Sequence, residues 1–537
     1  MLPCHSSSGA IIAEAQAVAI EDHDFSVGKL SSKIGTGICF LDHMIDQFTS
    51  HGMVGVSLRC GISAIAPAVV NGHIPDTKWF APLADYATGM SGRPHDRDIA
   101  IACGTALGLA LRQVVQEVAT THCSSMEATN DDDALPRSAA VFCCPLDEAF
   151  AEVTLDLFPK LEWKGRCTTH LEPYGKFSGC SSGRQWIGRY RTNLTPIFWS
   201  SLATALQCDV SLSKVRGGNA HHQLESTFKS FARAFRAAID RMVDGGSHGC
   251  AEPSAEPSPP AGPQAEPRQA ERKRMTKETA IEVRVDLDAP WCFEDKPQGF
   301  LAAWTGKWMT PGKLRATVQQ TSRITSGIEV LDQVLVEFAK ASGIEIIIHC
   351  EGDRHIDDHH TAEDVAITLG QCFHEALGDK AGLARMGCAE GIHGNARVRA
   401  VLDLSNRPHF ESDLPFDEEY VGAVDVADST AEAVEPRAKR AKTEAREDDK
   451  VNEPAPCDTL CGAVLSCEML HHVFNSLTLE MRSTCHLEVI KDDAVTGHTL
   501  DLALAAARAY GSALSRAIRV DPRRGGAVAS SKGTLSK

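Results

Sequence analysis

The chain repeats itself. Residues 35–52, GTGICFLDHMIDQFTSHG, return at 325–343 as TSGIEVLDQVLVEFAKASG, with Leu331 and Asp332 falling on Leu41 and Asp42. VGVSLRC returns as IEIIIHC, VTLDL as AVLDL, and LESTFKSFARAFRAAI as LDLALAAARAYGSALSRAI. Two copies of one pattern must fold as two domains of like architecture, and 537 residues are too many for a single core. The boundaries follow from composition: copy one at 10–245, a Pro/Ala/Glu-rich linker at 246–271, and copy two at 272–537. Copy two carries an insertion at 412–456, acidic apart from the basic run Pro436 to Lys442, which reads as a solvated charge run.

Within each copy, short alternating segments such as AEVTLDLF read as strands, and longer stretches such as IAIACGTALGLALRQVV read as helices. The pattern reads as short strands interleaved with amphipathic helices. The Gly/Ser/Arg-rich segment near 165–190 reads as a loop insertion. A formal charge of −17 disfavours non-specific nucleic-acid binding. The 19 cysteines are scattered through apolar segments, which predicts reduced core residues rather than a disulfide framework. The N-terminus has neither a basic nor an Arg-rich leader, and no apolar run reads as a membrane span. A cytoplasmic location with no membrane partner is the expectation, a plastid being the alternative.

Two motifs carry the chemistry. Asp358-His359-His360-Thr361-Ala362-Glu363 opens an amphipathic helix, and His221-His222-Gln223-Leu224-Glu225 opens another far upstream. On a helix, His359 and Glu363 share one face, as do His221 and Glu225. Imidazole with carboxylate and no thiolate suits Mn, Fe or Zn. A solvated polar helix start would account for one such motif, but not for two.

FLDHM, HIDDHHTAED, GGNAHHQLESTFKSFARA and DPRRGGAVASSKG together resemble the imidazoleglycerol-phosphate dehydratase family, across nearly the whole chain and twice over. The resemblance implies an α+β fold in which each copy is an internally duplicated pair of small sheets, similar to domain 2 of ribosomal protein S5. It implies two Mn2+ per site and dehydration of imidazole glycerol phosphate to imidazole acetol phosphate in histidine biosynthesis. It also implies a homo-oligomeric cage of octahedral symmetry, which about twelve double-copy chains would fill.

The departures from the family pattern are informative. Copy one keeps His43, His221, His222 and Glu225. It has lost the first HHxxE, leaving His95 and Asp98, and has Ser211 where a histidine is expected. Copy two keeps His359, His360, Glu363 and His486, has Gln333 in place of the FLDHM histidine, and has a decayed second motif at His498 and Asp501. The resemblance assigns those eight retained residues to the metals, and the two sets do not overlap. One composite site drawing on both copies is the expectation, with the leftover positions dead.

Substrate-binding positions sort in the same way. Arg385, Arg407, Ser530 and Lys532 match the family's phosphate contacts in copy two, while Lys229 and Gln47 come from copy one. The proton to be removed lies on a carbon beside a hydroxyl, so the imidazole ring must serve as the electron sink. A carboxylate must move that proton: Glu278 is the first candidate, with Glu363 and Glu225 as alternatives better suited to holding metal. The competing reading is an inactive metal-binding scaffold, which leaves the complementary losses unexplained. A zinc module around Cys457, Cys461, Cys467, His471 and His472 lacks a paired CxxC, so its residues are expected in the core.

Overall fold

The computed structural model describes residues 3–9, 11–19, 33–63, 80–82, 95–122, 138–176, 181, 183–243, 267–291, 323–353, 357–416, 418–422, 464–490, 498–524, 526, 528 and 530. They form one β-β-β-α-β-α unit four times over.

The first quarter runs β1 (Cys4–Ser8), β2 (Ile11–Ala19), β3 (Lys33–Gly35), α1 (Cys39–Gly52), β4 (Val54–Ser63), a short β5 (Phe80–Pro82) and α2 (Asp96–His122). The second runs β6 (Ala139–Leu146), β7 (Ala149–Asp156), β8 (Cys167–His170), the two-residue β9 (Trp186–Ile187) and β10 (Tyr190–Arg191), α3 (Thr195–Leu206), β11 (Asp209–Arg216) and α4 (Ala220–Val243). The third has β12 (Gln269–Met275), β13 (Thr279–Pro290), β14 (Ile324–Thr325), α5 (Glu329–Ser342), β15 (Ile344–Gly352) and α6 (His359–Leu377). The fourth has β16 (Met386–His393), β17 (Ala396–Asp403), β18 (His409–Ser412), β19 (Tyr420–Gly422), β20 (Val464–Ser466), α7 (Cys467–Glu480), β21 (Thr484–Val489) and α8 (Thr499–Ala517).

The four principal sheets share one strand order: β1-β2-β4-β3, β6-β7-β11-β8, β12-β13-β15-β14 and β16-β17-β21-β18. In each, a hairpin leads, and the third strand lies parallel to the fourth at the far edge. The repeated Leu-Asp explains itself here. Asp42 accepts from the Thr36 amide at 2.7 Å and Asp332 from the Ser326 amide at 2.7 Å, which fixes the turn entering α1 and α5 alike. Strand burial alternates along β7 and β13, one face on the helices and one toward solvent.

Each copy builds its own core, residues 4–242 in one and 270–518 in the other. A small third cluster of Cys143, Phe150 and Val401 joins them where β6 packs on β17. Arg399 bridges Glu152 of copy one and Glu488 of copy two across that junction, and Arg523 reaches Asp240 at 2.9 Å. Most of the described cysteines are buried, which fits their reading as core residues.

Several sequence boundaries shift. β1 precedes residue 10, and β12 starts at Gln269, so 269–271 pair within a sheet instead of belonging to the linker. The 165–190 segment is not all loop: β8 adds a parallel edge to β11. The start of the 412–456 insertion is ordered, since β19 pairs with β20, while its basic run lies outside the described residues. One helix, Asp96–Thr121, is long and apolar enough to cross a membrane by composition, contrary to the sequence reading; 67% of its apolar window is buried inside the fold, as in a core helix.

Candidate metal centre

The first group of ligands is made by copy one. Asn219 caps α4, its side chain accepting from the His221 amide at 2.9 Å, so the helix begins at the histidine pair. One turn on, Glu225 comes beneath His221, with Nε2 to Oε2 at 3.2 Å. His43 arrives from α1, its Nε2 3.7 Å from the same carboxylate oxygen. The other oxygen takes Lys229 Nζ at 2.7 Å. Burial works against a charged Glu225, but Lys229, His221 and His43 together hold its carboxyl far below the ordinary range.

The second group is made by copy two and repeats the first. His359 Nε2 lies 3.4 Å from Glu363 Oε2, and His472 Nε2 from α7 lies 3.0 Å from Glu363 Oε1. His472 lowers the Glu363 carboxyl against the opposing effect of burial. In both groups one nitrogen from each of two histidines and one carboxylate oxygen lie within 4.8 Å of one another, a donor set that fits a divalent ion with open positions remaining. These are the two such groups among the described residues.

Successive residues on a helix point about 100° apart. The second histidine of each pair therefore turns away from its own group. His222 Nδ1 meets Glu148 Oε2 at 2.9 Å, and His360 Nδ1 meets Asp353 Oδ2 at 3.0 Å with Glu278 Oε2 4.0 Å off. Glu148 raises the His222 pKa, and Asp353 does the same for His360. Glu148 itself is held at about 2 by His222 in spite of burial. Glu148 and Glu278 sit at matching hairpin tips, β6–β7 and β12–β13.

His486 joins neither group. It is fully buried, donates Nε2–H to the Asp147 carbonyl at 2.7 Å, and keeps Nδ1 unpartnered. Burial pushes it down to about 3, so it is a neutral imidazole at the copy junction.

Of the substrate-binding expectations, Lys229, Arg385 and Arg407 lie near that junction. Lys229 is almost completely buried. Arg385 is held by Asp403 through two bonds of 2.6 and 2.8 Å, and Arg407 lies 3.4 Å from Asp147. Gln47 donates to the His43 carbonyl at 3.0 Å and leaves a buried Oε1 without a partner. His51 lies further along α1; its pKa is lowered by burial first, then by the charges of Lys229, Arg385, Arg233 and Arg524. Arg233 donates to the Ala384 carbonyl at 2.7 Å. Cations from both copies thus meet beside α1 and α4. Ser530 is partly buried, its amide donating to the Val528 carbonyl, and Lys532 lies outside the described residues.

Sequence reasoning missed His472 and the Asp147–Glu148 tip. His472 was masked by an apolar helix, CEMLHHVFNSLTLE, in which it read as core. The available signal was spacing: copy one has Ile197 as far before Ser211 as His472 stands before His486. The decayed motifs are tied off. Ser8 donates to Asp98 at 2.7 Å and His393 holds Asp501 at 2.8 Å, with Gly9 and Gly394 at the tips where the intact quarters have glutamate. A Cβ on Gly394 would come 2.7 Å from Asp501.

Comparison with known proteins gives one answer. The model of the family described as imidazoleglycerol-phosphate dehydratase matches residues 95–235 and 326–443, one segment in each copy. A protein of that name from Cereibacter sphaeroides is 32% identical over 262 residues, which is 49% of this chain and 96% of the relative. One from Pyricularia oryzae is 32% identical over 49% of this chain and 95% of its own length. Among solved structures, the Staphylococcus aureus enzyme of that name is 18% identical, covering 44% of this chain and 98% of its own, at a TM-score of 0.27.

Proposed function

Because the chain belongs to the imidazoleglycerol-phosphate dehydratase family, a family of hydro-lyases, we propose that it removes water from imidazole glycerol phosphate to give imidazole acetol phosphate, at one composite Mn2+-dependent site built from both copies. The observation that carries this reading is the division of ligands: one His/His/Glu group per copy, with cations from both copies gathered beside the first. Each group fits one ion, so two Mn2+ per site is the natural complement. When bound, they supply the positive charge that makes the substrate ring N–H more acidic.

The chain's own residues do the rest. Lys229 and Arg385, joined by Arg407, Ser530 and Lys532, grip the phosphate dianion. Along α4, Lys229 follows Glu225 by one helical turn, its Nζ 2.7 Å from the Glu225 carboxylate. Gln47, one turn below His43 on α1, offers its unpartnered oxygen to a substrate hydroxyl. Glu278 is a hairpin-tip carboxylate, half-exposed and near His360, and moves the carbon-bound proton. That C–H bond breaks as the adjacent hydroxyl leaves as water, and the resulting enol becomes the ketone. Glu225 and Glu363, engaged with their histidines, serve as ligands rather than as the base.

The test is turnover of imidazole glycerol phosphate with added Mn2+, before and after chelation. Activity that is lost on chelation and restored by Mn2+ is expected. A folded, metal-loaded sample with no turnover would refute the reading and leave the scaffold.

A further inference from the structure

We infer that Cys143 and Cys388 form a peroxide-sensitive dithiol at the copy junction, whose oxidation to a disulfide staples copy one to copy two. The pair lies outside the metal and phosphate positions, and its chemistry does not depend on the dehydratase reading.

The topology brings the two sulfurs together. Cys143 sits on β6 and Cys388 on β16, in the two hairpins that meet between the copies. Cys388 is the cross-strand neighbour of Val401, and it packs on the small apolar cluster of Cys143, Phe150 and Val401. The two thiols lie within hydrogen-bonding range of one another. One residue along, Cys144 Sγ lies 3.1 Å from Met386 Sδ, a second sulfur contact between the same two strands. Sulfurs already facing each other need little backbone movement to join.

The surroundings are those of a reactive pair. Arg399 Nη1 lies 3.7 Å from Cys143 Sγ, and Glu152 Oε2 lies 3.6 Å from the same sulfur. Arg516 donates to the Cys388 carbonyl. The hydrogen bond from Cys143, then the charges of Arg399 and Arg516, lower the Cys388 thiol against the opposing effect of burial. That same bond, and burial, hold Cys143 well above the ordinary thiol range. Cys388, partly exposed, is therefore the thiolate that meets the oxidant, and Cys143, 1% exposed, is the thiol that resolves it. Copy one holds a built-in contrast. Cys60 and Cys103 are also hydrogen-bonded thiols, but both are buried, and burial, Cys60 and Asp42 all raise the Cys103 pKa. That pair should stay reduced under conditions that oxidise the junction pair.

The step balances with hydrogen peroxide as oxidant. The Cys388 thiolate attacks one peroxide oxygen; an S–O bond forms, the O–O bond breaks, and the departing oxygen takes a proton and leaves as water. Cys143 then attacks the sulfenic sulfur; the S–S bond forms, the S–O bond breaks, and hydroxide leaves with the Cys143 proton as a second water. Two thiols lose two electrons and two protons in all, and a dithiol reductant reverses the change. The bond closes a loop from residue 143 to residue 388 through the Pro/Ala/Glu-rich linker, and cross-links that close long loops restrict the unfolded chain most.

The test is peptide mapping of the folded, chelator-treated full chain after hydrogen peroxide, with remaining thiols alkylated in denaturant before digestion. A Cys143–Cys388 linked peptide, reversed by dithiothreitol, is expected, while Cys60 and Cys103 are recovered as thiols. The oxidised chain should run faster on a non-reducing gel and unfold at a higher urea midpoint. Cys388→Ser should lose both changes, and Cys388→Ala repeats the test if the serine chain does not fold. Arg516→Gln should slow formation of the bond several-fold, since it removes one of the two cations that favour the thiolate. No linked peptide from the folded chain, or one that forms as readily in urea, overturns the inference. A Cys60–Cys103 link formed just as fast, or an unchanged urea midpoint in the linked chain, does so too.

Discussion

The α1–α4 seam of copy one and the α5–α8 seam of copy two descend from one pattern and now do opposite things. Down the first run His43, Gln47 and His51 on α1, facing Glu225, Lys229 and Arg233 on α4. The matching positions of the second hold Gln333, Glu337 and Ala341, facing Asp501, Ala505 and Ala509. The first is a buried polar stripe with unpartnered atoms at Gln47 and His51. The second is closed by small residues, with Gly511 against the Phe338 carbonyl. The other seam of each copy shows the reverse. Copy one closes α2–α3, with Gly104 and Gly108 against the Phe198 and Leu202 carbonyls, while copy two opens α6–α7 around His359, Glu363 and His472. The comparison teaches that each copy keeps ligand-type residues at one end of one seam and lacks them in the other, although Gly52 and Gly370 bring the ligand-bearing seams equally close further along. A helix pair relieved of holding ligands gains from close packing, and a pair that still holds them must keep polar groups buried.

The largest effect should separate the open seams from the closed ones. If one site draws on both copies, as proposed, His221→Ala or His360→Ala should each lower turnover by about a thousandfold or more, since each removes several kcal/mol of charge stabilisation from it. Asp98→Ala and Asp501→Ala, in the closed seams, should change turnover by less than about twofold. Substantial turnover in either histidine variant would mean that each copy works alone.

At the copy junction, Arg385→Ala strands the fully buried Asp403 and should cost about 3–5 kcal/mol in a urea titration. Arg407→Ala, at a partly exposed pair with Asp147, should cost at most about 1 kcal/mol. Equal costs would show that the junction does not rank these arginines by burial.

A closed seam should resist enlargement. A Cβ at Gly104 would lie 2.6 Å from the Phe198 carbonyl oxygen, so Gly104→Ala should destabilise by about 1–3 kcal/mol while leaving turnover at wild-type levels in the assembled protein. Normal stability would mean that the seam is looser than drawn.

The open seam should also leave a pH signature. His51 is neutral in the folded chain, its pKa lowered by burial and by the nearby cations. Below its ordinary value of about 6.5 the unfolded chain takes up a proton that the folded chain does not, so stability falls as pH drops, by up to about 1.4 kcal/mol per unit. His51→Gln should lower that acid-side slope in urea titrations at several pH values, leaving the share that buried His486 contributes. An unchanged slope would place the proton-linked group elsewhere.

Much of this was legible in the chain because repetition made it so. The Leu-Asp turn, the paired histidine helices and the alternating strands each appear in more than one copy, and local rules sufficed to place them. His472 was not legible, because an apolar helix surrounds it and its role arises only when α7 packs against α6 beside Glu363. Asp147 and Glu148 occupy a two-residue hairpin tip, and their meaning depends on where α4 begins. His486 is a separate case: the resemblance grouped it with the ligands, and it lies apart from both groups, with Nε2 on the Asp147 carbonyl and Nδ1 without a partner. The linker's end was misplaced because Arg268 and Gln269 look polar and loop-like; Arg268 is tied to Asp288 and leads into β12.

The central claim is that two incomplete copies make one complete site. It is tested most directly by counting metal and ligand on one sample: protein purified with Mn2+, stripped of loosely held ions, and titrated with a substrate analogue. The account predicts about two tightly held Mn2+ and one bound analogue per chain, because only the open seams keep their ligands. About four Mn2+ with two analogues per chain would show that the closed seams still bind, and that claim would be wrong.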